Sequence, residues 1–123
     1  MTMQESIRQA QTGGVQTNAD GSARVEFCFP ADDPTFAGHF PTRPLLPGVF
    51  QLEMARLAAE AVLKCPLSVR EIIKARFLRP IIPEETVRVE LKLAGKPDTI
   101  QVRARFSVTG QAAGETLLLL ARD

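Results

Sequence analysis

The run GHFPTRPLLPGVFQLE, Gly38 to Glu53, gathers residue types that acid–base chemistry needs. It holds the chain's only histidine, His39, and a carboxylate, Glu53, fourteen residues further on. An imidazole with an ordinary pKa of ~6.5 is largely neutral at pH 7 and can take up a proton. Between the two stand Pro41, Pro44 and Pro47, then Gly48 and Val49, where a helical pattern begins. The first N–H groups of a helix have no partner within it and can hold an oxygen that gains negative charge. Gly48 leaves approach to them open and equally eases the turn into the helix.

The elements that position these residues follow from local pattern. Residues 30–48 carry five prolines, Pro30, Pro34, Pro41, Pro44 and Pro47. Proline fixes φ and pushes the preceding residue towards extended geometry, so this is a structured loop, long for a small domain. An 18-residue stretch of good helix formers follows, VFQLEMARLAAEAVLKCP, free of glycine and closed by Pro66. Val49, Phe50, Leu52, Leu57, Ala58, Ala59, Val62 and Leu63 cover most of its circumference, so other structure must wrap it. Glu53 shares a face with Arg56, Glu60 and Lys64, which equally reads as a solvated stripe.

Strands flank the helix. SARVEFCF before the loop places Val25, Phe27 and Phe29 on one face, and Pro30 stops it. After the helix, VREIIKARFL is β-rich with poor alternation, whereas TVRVELKL and IQVRARFSV alternate cleanly and ETLLLLA is a continuous apolar run. Consecutive strands after one helix predict an α+β domain, with a curled antiparallel sheet around a single buried helix. Residues 1–21 are polar and read as a short helix, a strand or a partly mobile segment of the same single domain, 1–123.

Composition removes several classes of function. Fifteen basic and fourteen acidic residues leave a net charge of +1, which gives no general attraction to nucleic acid or an anionic membrane. All seven aromatic residues are Phe, so no Tyr/Trp platform exists for stacking bases. Cys28 and Cys65 stand apart without metal-ligand spacing, and with a single His they argue against zinc; both read as structural thiols. The N-terminus lacks the apolar core of a signal peptide, and no window reaches the length of a membrane span, so a cytoplasmic protein is expected.

FAGHFPTRPLLPGVFQLEMA resembles the signature of the hotdog-fold 3-hydroxyacyl-[acyl carrier protein] dehydratases, roughly GHFPxxPxxPGVxxxE/D. Gly38, His39, Phe40, Pro41, Pro44, Pro47, Gly48, Val49 and Glu53 stand at its positions. KARFLRPIIPEETVRVEL resembles the family's later segment, and the likeness spans roughly Val25 to Leu93. Two departures stand out: Thr42 replaces the usual Gly after HFP, and Leu57 replaces a Gln common four residues past the acid. The resemblance implies a hotdog fold, a curved antiparallel sheet around one long central helix. It implies dehydration of 3-hydroxyacyl-carrier thioesters to trans-2-enoyl products, with no cofactor and no metal beyond the substrate's own phosphopantetheine arm.

In that reading His39 is the base at C2. Glu53 protonates the leaving hydroxyl or orients a water that does. Backbone N–H groups of Gly48 or Val49 bind the thioester carbonyl. To act as an acid, Glu53 needs a pKa raised by burial, against the lowering effect of the helix start. His39 lies nine residues before Gly48, and an extended run of that length spans up to ~30 Å. The histidine can therefore reach a partner's helix start, and the family implication is a homodimer with active sites at the subunit interface. An acyl carrier protein is acidic, so Arg70, Lys74, Arg76 and Arg79 form the candidate docking patch, although a basic solvent face of a strand reads the same way. A hotdog acyl thioesterase and a non-catalytic acyl-carrier-binding subunit are the alternatives.

Overall fold

Alternating side chains build the sheet. The structure, a computed structural model, describes residues 1–36, 44–96 and 98–123. His39 and the rest of the GHFP motif therefore lie outside the described residues. Six strands run in chain order: β1 (Gln16–Thr17), β2 (Ala23–Cys28), β3 (Leu67–Phe77), β4 (Thr86–Lys96), β5 (Thr99–Val108) and β6 (Gln111–Arg122). Spatially they follow β1-β2-β4-β5-β6-β3, and every neighbouring pair is antiparallel. Val25, Phe27, Val87, Val89, Leu91, Val102, Ala104 and Phe106 point to one face and are buried, as the period of two requires.

That face receives α2 (Gly48–Leu63), which contacts β3, β4, β5 and β6. One long helix laid over an antiparallel sheet is the expected hotdog arrangement. Phe50, Met54, Ala55, Leu57, Ala58 and Ala59 form the buried side of α2, and the Phe50 ring meets Phe29 edge-on at 5.9 Å. Two positions differ from the sequence pattern: Val49 is exposed and Gln51 is buried. The helix ends at Leu63, short of the expected Pro66. Lys64 takes a left-handed conformation, φ 56° and ψ 43°, and its N–H donates to Glu60 O at 2.7 Å.

The polar N-terminal segment forms a second helix, α1 (Met3–Ala10). A capping box starts it: Glu5 N–H donates to Thr2 Oγ1, and Thr2 N–H donates to the Glu5 carboxylate, both at 3.1 Å. Ser6, Ile7 and Ala10 face inward, and the Ser6 hydroxyl donates to buried Asp33 at 3.3 Å. α1 packs on α2 and β2.

β3 closes one end of the sheet, which explains its poor alternation. It pairs with β6 on one side only, and register shifts fall between Val69 and Glu71 and between Ile72 and Lys74. Val69, Ile72, Ile73 and Phe77 are exposed along it. A long apolar edge strand is a template for pairing with another chain.

The left-handed residue at the end of α2 generates one prediction. An L-residue in that region carries a strain of roughly 1–2 kcal/mol that glycine does not. Lys64→Gly is expected to raise stability by up to about 1 kcal/mol in urea denaturation. A loss of stability would contradict the assignment of strain to this residue.

Candidate active site at the start of the central helix

Pro47 is the N-cap of α2, and a proline side chain offers no oxygen to the first N–H groups. Phe50 N–H donates to Pro47 O at 3.0 Å, but among the described residues the N–H groups of Gly48 and Val49 have no acceptor. They stand at the positive end of a 16-residue helix. Leu46 N–H donates to Ile81 O at 2.8 Å and ties the approach to the helix to the segment after β3. Gly48 is needed there for close approach. A Cβ on it would lie 2.9–3.2 Å from the Phe77 ring.

A cavity of about 290 Å³ opens beside this helix start, with Leu46, Gly48, Gln51, Phe77, Leu78 and Pro80 among its walls. It is mostly apolar, which suits a hydrocarbon chain. A larger hollow of about 660 Å³ lies on the opposite face of the sheet among Glu26, Arg88, Glu90, Arg105 and Glu115. Glu53 is not among its walls.

Glu53 sits five residues along α2 from Gly48, turned towards α1. Its side chain is 15% exposed. Arg56 Nε donates to both carboxylate oxygens, at 3.0 and 3.1 Å, Arg56 Nη2 donates as well, and Gln4 Nε2 donates at 3.3 Å. Arg56 Nη1 reaches on to Glu60 at 2.9 Å and Leu67 O at 3.0 Å. Of the anticipated stripe, Glu53, Arg56 and Glu60 form a half-buried ion network, and Lys64 takes no part in it among the described residues. Burial is the largest single influence on Glu53 and pushes its carboxyl up. The hydrogen bonds and charge of Arg56, with Gln4 and Arg8, together outweigh burial and hold it below the ordinary carboxylate range. This corrects the expectation of a raised pKa: within the chain, Glu53 is an anion held in place.

The basic cluster is less bare than its sequence. Lys74 and Arg76 both reach Glu115 on β6, at 2.7 and 3.4 Å, and Arg79 reaches Glu85 at 2.9 Å. Only Arg70 of the four lacks an ion pair among the described residues. Cys28 and Cys65 are free thiols. Among the described residues no three His, Cys, Asp or Glu side chains gather as metal ligands, and no helix is long and apolar enough to cross a membrane.

Sequence reasoning missed two contributors, Gln4 and Gln51, and read Arg56 only as part of a solvated stripe with Glu53. Gln4 and Arg56 hold Glu53, and Gln51 lines the cavity. The three-residue spacing of Arg56 from Glu53 signalled a pair. Nothing local signalled Gln4, which comes from α1, or the burial of Gln51, which β6 imposes.

The fold is that of a hotdog domain whose central helix begins beside an apolar cavity. Comparison with known proteins carries this further. The family model described as ApeI-like, ApeI dehydratase, matches residues 15–115. The 3-hydroxyacyl-[acyl-carrier-protein] dehydratase FabZ of Desulforamulus reducens is 37% identical over 99 residues, covering 74% of this chain and 70% of that protein. The enzyme of the same name from Chloroflexus aggregans is also 37% identical over 99 residues, covering 74% and 69%. Among solved structures, the dehydratase heterocomplex ApeI:P from Xenorhabdus doucetiae aligns with a TM-score of 0.77 and 25% identity, over 91% of this chain and 96% of that one. The chain belongs to the ApeI-like dehydratase family.

The Glu53–Arg56 pair makes a prediction with a definite sign. A carboxyl depressed by folding contributes stability that is fully present above its unfolded pKa of about 4.3. That stability is lost as pH falls through the lower folded value. Arg56→Gln is expected to move the Glu53 midpoint upward in a side-chain carboxyl NMR titration and to flatten the acid limb of the stability–pH curve. An unmoved midpoint would contradict the assignment.

Proposed function

We propose that this protein is a dehydratase that converts 3-hydroxyacyl-[acyl carrier protein] thioesters to trans-2-enoyl thioesters, in fatty acid or related polyketide or polyene biosynthesis. The observation that carries the reading is the dehydratase-family match over residues 15–115, a span that includes the whole run from His39 to Glu53. Supporting it are the open N–H groups of Gly48 and Val49 beside an apolar cavity.

His39 takes the C2 proton. Charge that develops on the thioester oxygen is held by the Gly48 and Val49 N–H groups, where losing one such donor costs about 2.7–4 kcal/mol of transition-state stabilisation. The C3–O bond then breaks, and the oxygen leaves as water. That water contains the C3 hydroxyl and one proton, and one proton is what His39 has collected. A single imidazole that takes the proton from C2 and delivers it to the oxygen balances the reaction. Glu53, kept ionised by Arg56, is then the anion that steadies the imidazolium rather than the acid.

The active unit is a homodimer in which His39 of one subunit meets the helix start and Glu53 of the other. The exposed apolar edge of β3 supports pairing between copies. The acyl carrier docks at the basic surface around Arg70, Lys74, Arg76 and Arg79, of which Arg70 retains the least compensated charge. The reaction draws on no cofactor or metal beyond the carrier's own arm, and the setting is the cytoplasm.

A second reading, a non-catalytic acyl-carrier-binding subunit, draws on Leu57 and on the engagement of Glu53 by Arg56. Intact-mass spectrometry of a 3-hydroxyacyl carrier incubated with the protein separates the readings. Loss of one water, abolished by His39→Ala with the fold retained, is the expected result. Loss of the whole acyl group would assign a thioesterase. An unchanged carrier mass at several chain lengths would assign a binding subunit.

A further inference from the structure

Gln51 is a polar side chain where the pattern of α2 calls for an apolar one. It is 3% exposed, and its Oε1 is enclosed without any hydrogen-bond donor. The carboxamide lies against Gly114 of β6, the residue paired with Phe77 of β3. Any side chain at Gly114 would displace it: a Cβ there would collide with Gln51 Oε1 and stand 2.9 Å from Arg76 O. The sheet has thus left room for this amide. An enclosed acceptor without a donor is destabilising, and leucine or methionine at this position would avoid that cost.

A second unpartnered group borders the same space. Arg79 contributes Nη2 to its ion pair with Glu85, but its Nη1 is enclosed and has no acceptor. Gln51 and Arg79 both line the 290 Å³ cavity that Gly48 opens into. Two side chains that line one cavity thus each carry an enclosed polar atom without a partner, one an acceptor and one a donor. The small group that satisfies both at once is a hydroxyl, which gives one hydrogen bond and accepts another. Gln51 also stands three residues after Gly48, about one helical turn along the same face of α2. That separation suits a molecule whose carbonyl is held at the helix start and whose hydroxyl lies two carbons further along.

We propose that Gln51, with Arg79, binds the 3-hydroxyl of the acyl thioester and sets the preference for hydroxylated over unsubstituted chains. The proposal rests on the dehydratase reading and deepens it. The hydroxyl donates to Gln51 Oε1 and accepts from Arg79 Nη1, and it is released from both when it leaves as water. Arg79 then serves the site as well as bordering the carrier-docking surface.

The test compares binding of 3-hydroxyacyl and saturated acyl pantetheine thioesters of one chain length, by calorimetry, to the wild-type protein and to Gln51→Leu and Gln51→Met. Thermal unfolding and turnover are measured alongside. The wild type is expected to favour the hydroxylated thioester by about tenfold or more. Both variants should lose that preference while keeping affinity for the saturated thioester, with an unchanged or higher Tm. Retained preference in the variants would overturn the proposal. So would an equal loss of both ligands with a lowered Tm, or failure of both variants to fold, since each marks Gln51 as packing. A wild type that binds both thioesters without dehydrating would reject the dehydratase reading itself. A dehydrating wild type with unaltered variants would reject only the role of Gln51.

Discussion

The N–H groups of Gly48 and Val49 cannot be satisfied by the helix they begin, and the surrounding structure is arranged around that fact. Pro47 fixes the entry of the chain and supplies no capping oxygen. The bond from Leu46 N–H to Ile81 O holds the entry against the segment that follows β3. The missing side chain of Gly48 lets the Phe77 ring close over the site. Four strands of the sheet support α2 from beneath, so its first turn is held by the core rather than by a cap. A helix start kept open in this way suits developing negative charge, the role proposed for it.

The two sides of α2 treat polar groups differently. On the side facing α1, every charge is matched: Glu53 with Arg56 and Gln4, Arg56 with Glu60, and Glu60 Oε2 accepting from Leu67 N–H at 2.8 Å. On the side facing β6 and the cavity, Gln51 Oε1 and Arg79 Nη1 are enclosed and unmatched. Matching fixes geometry, whereas enclosed polar atoms without partners destabilise the free protein and favour a ligand that completes them. The carboxylate is accordingly positioned in advance, and the cavity is left to be completed by what enters it.

Much of this could be read from the residues, and the exceptions have physical causes. The strands β4 and β5 are buried on one face only, so alternation in TVRVELKL and IQVRARFSV marked them directly. β3 was harder, because an edge strand with two register shifts has no single inward face. α1 escaped a definite assignment because its eight residues are mostly polar and its stability comes from a capping box and a few contacts on α2 and β2. Glu53 was identifiable from its motif, but its ionisation depends on Arg56 and on Gln4 from another element. The compensation of Lys74 and Arg76 by Glu115 arises from pairing of β3 with β6, which no local pattern encodes. The position of His39 lies outside the described residues, and its role rests on its motif.

β3 leaves an apolar edge at the end of the sheet nearest the helix start, since Phe77 is both the last residue of that strand and a wall of the cavity. In the proposed dimer, assembly and catalysis meet at this place, and a working site takes His39 from one copy and Glu53 from another. Subunit mixing tests this most directly. His39→Ala and Glu53→Gln proteins, each inactive alone, are unfolded together, refolded as a mixture and assayed for dehydration. The account predicts that activity returns, because every mixed dimer contains one intact site. A mixture that forms mixed dimers yet stays as inactive as its parents would contradict it.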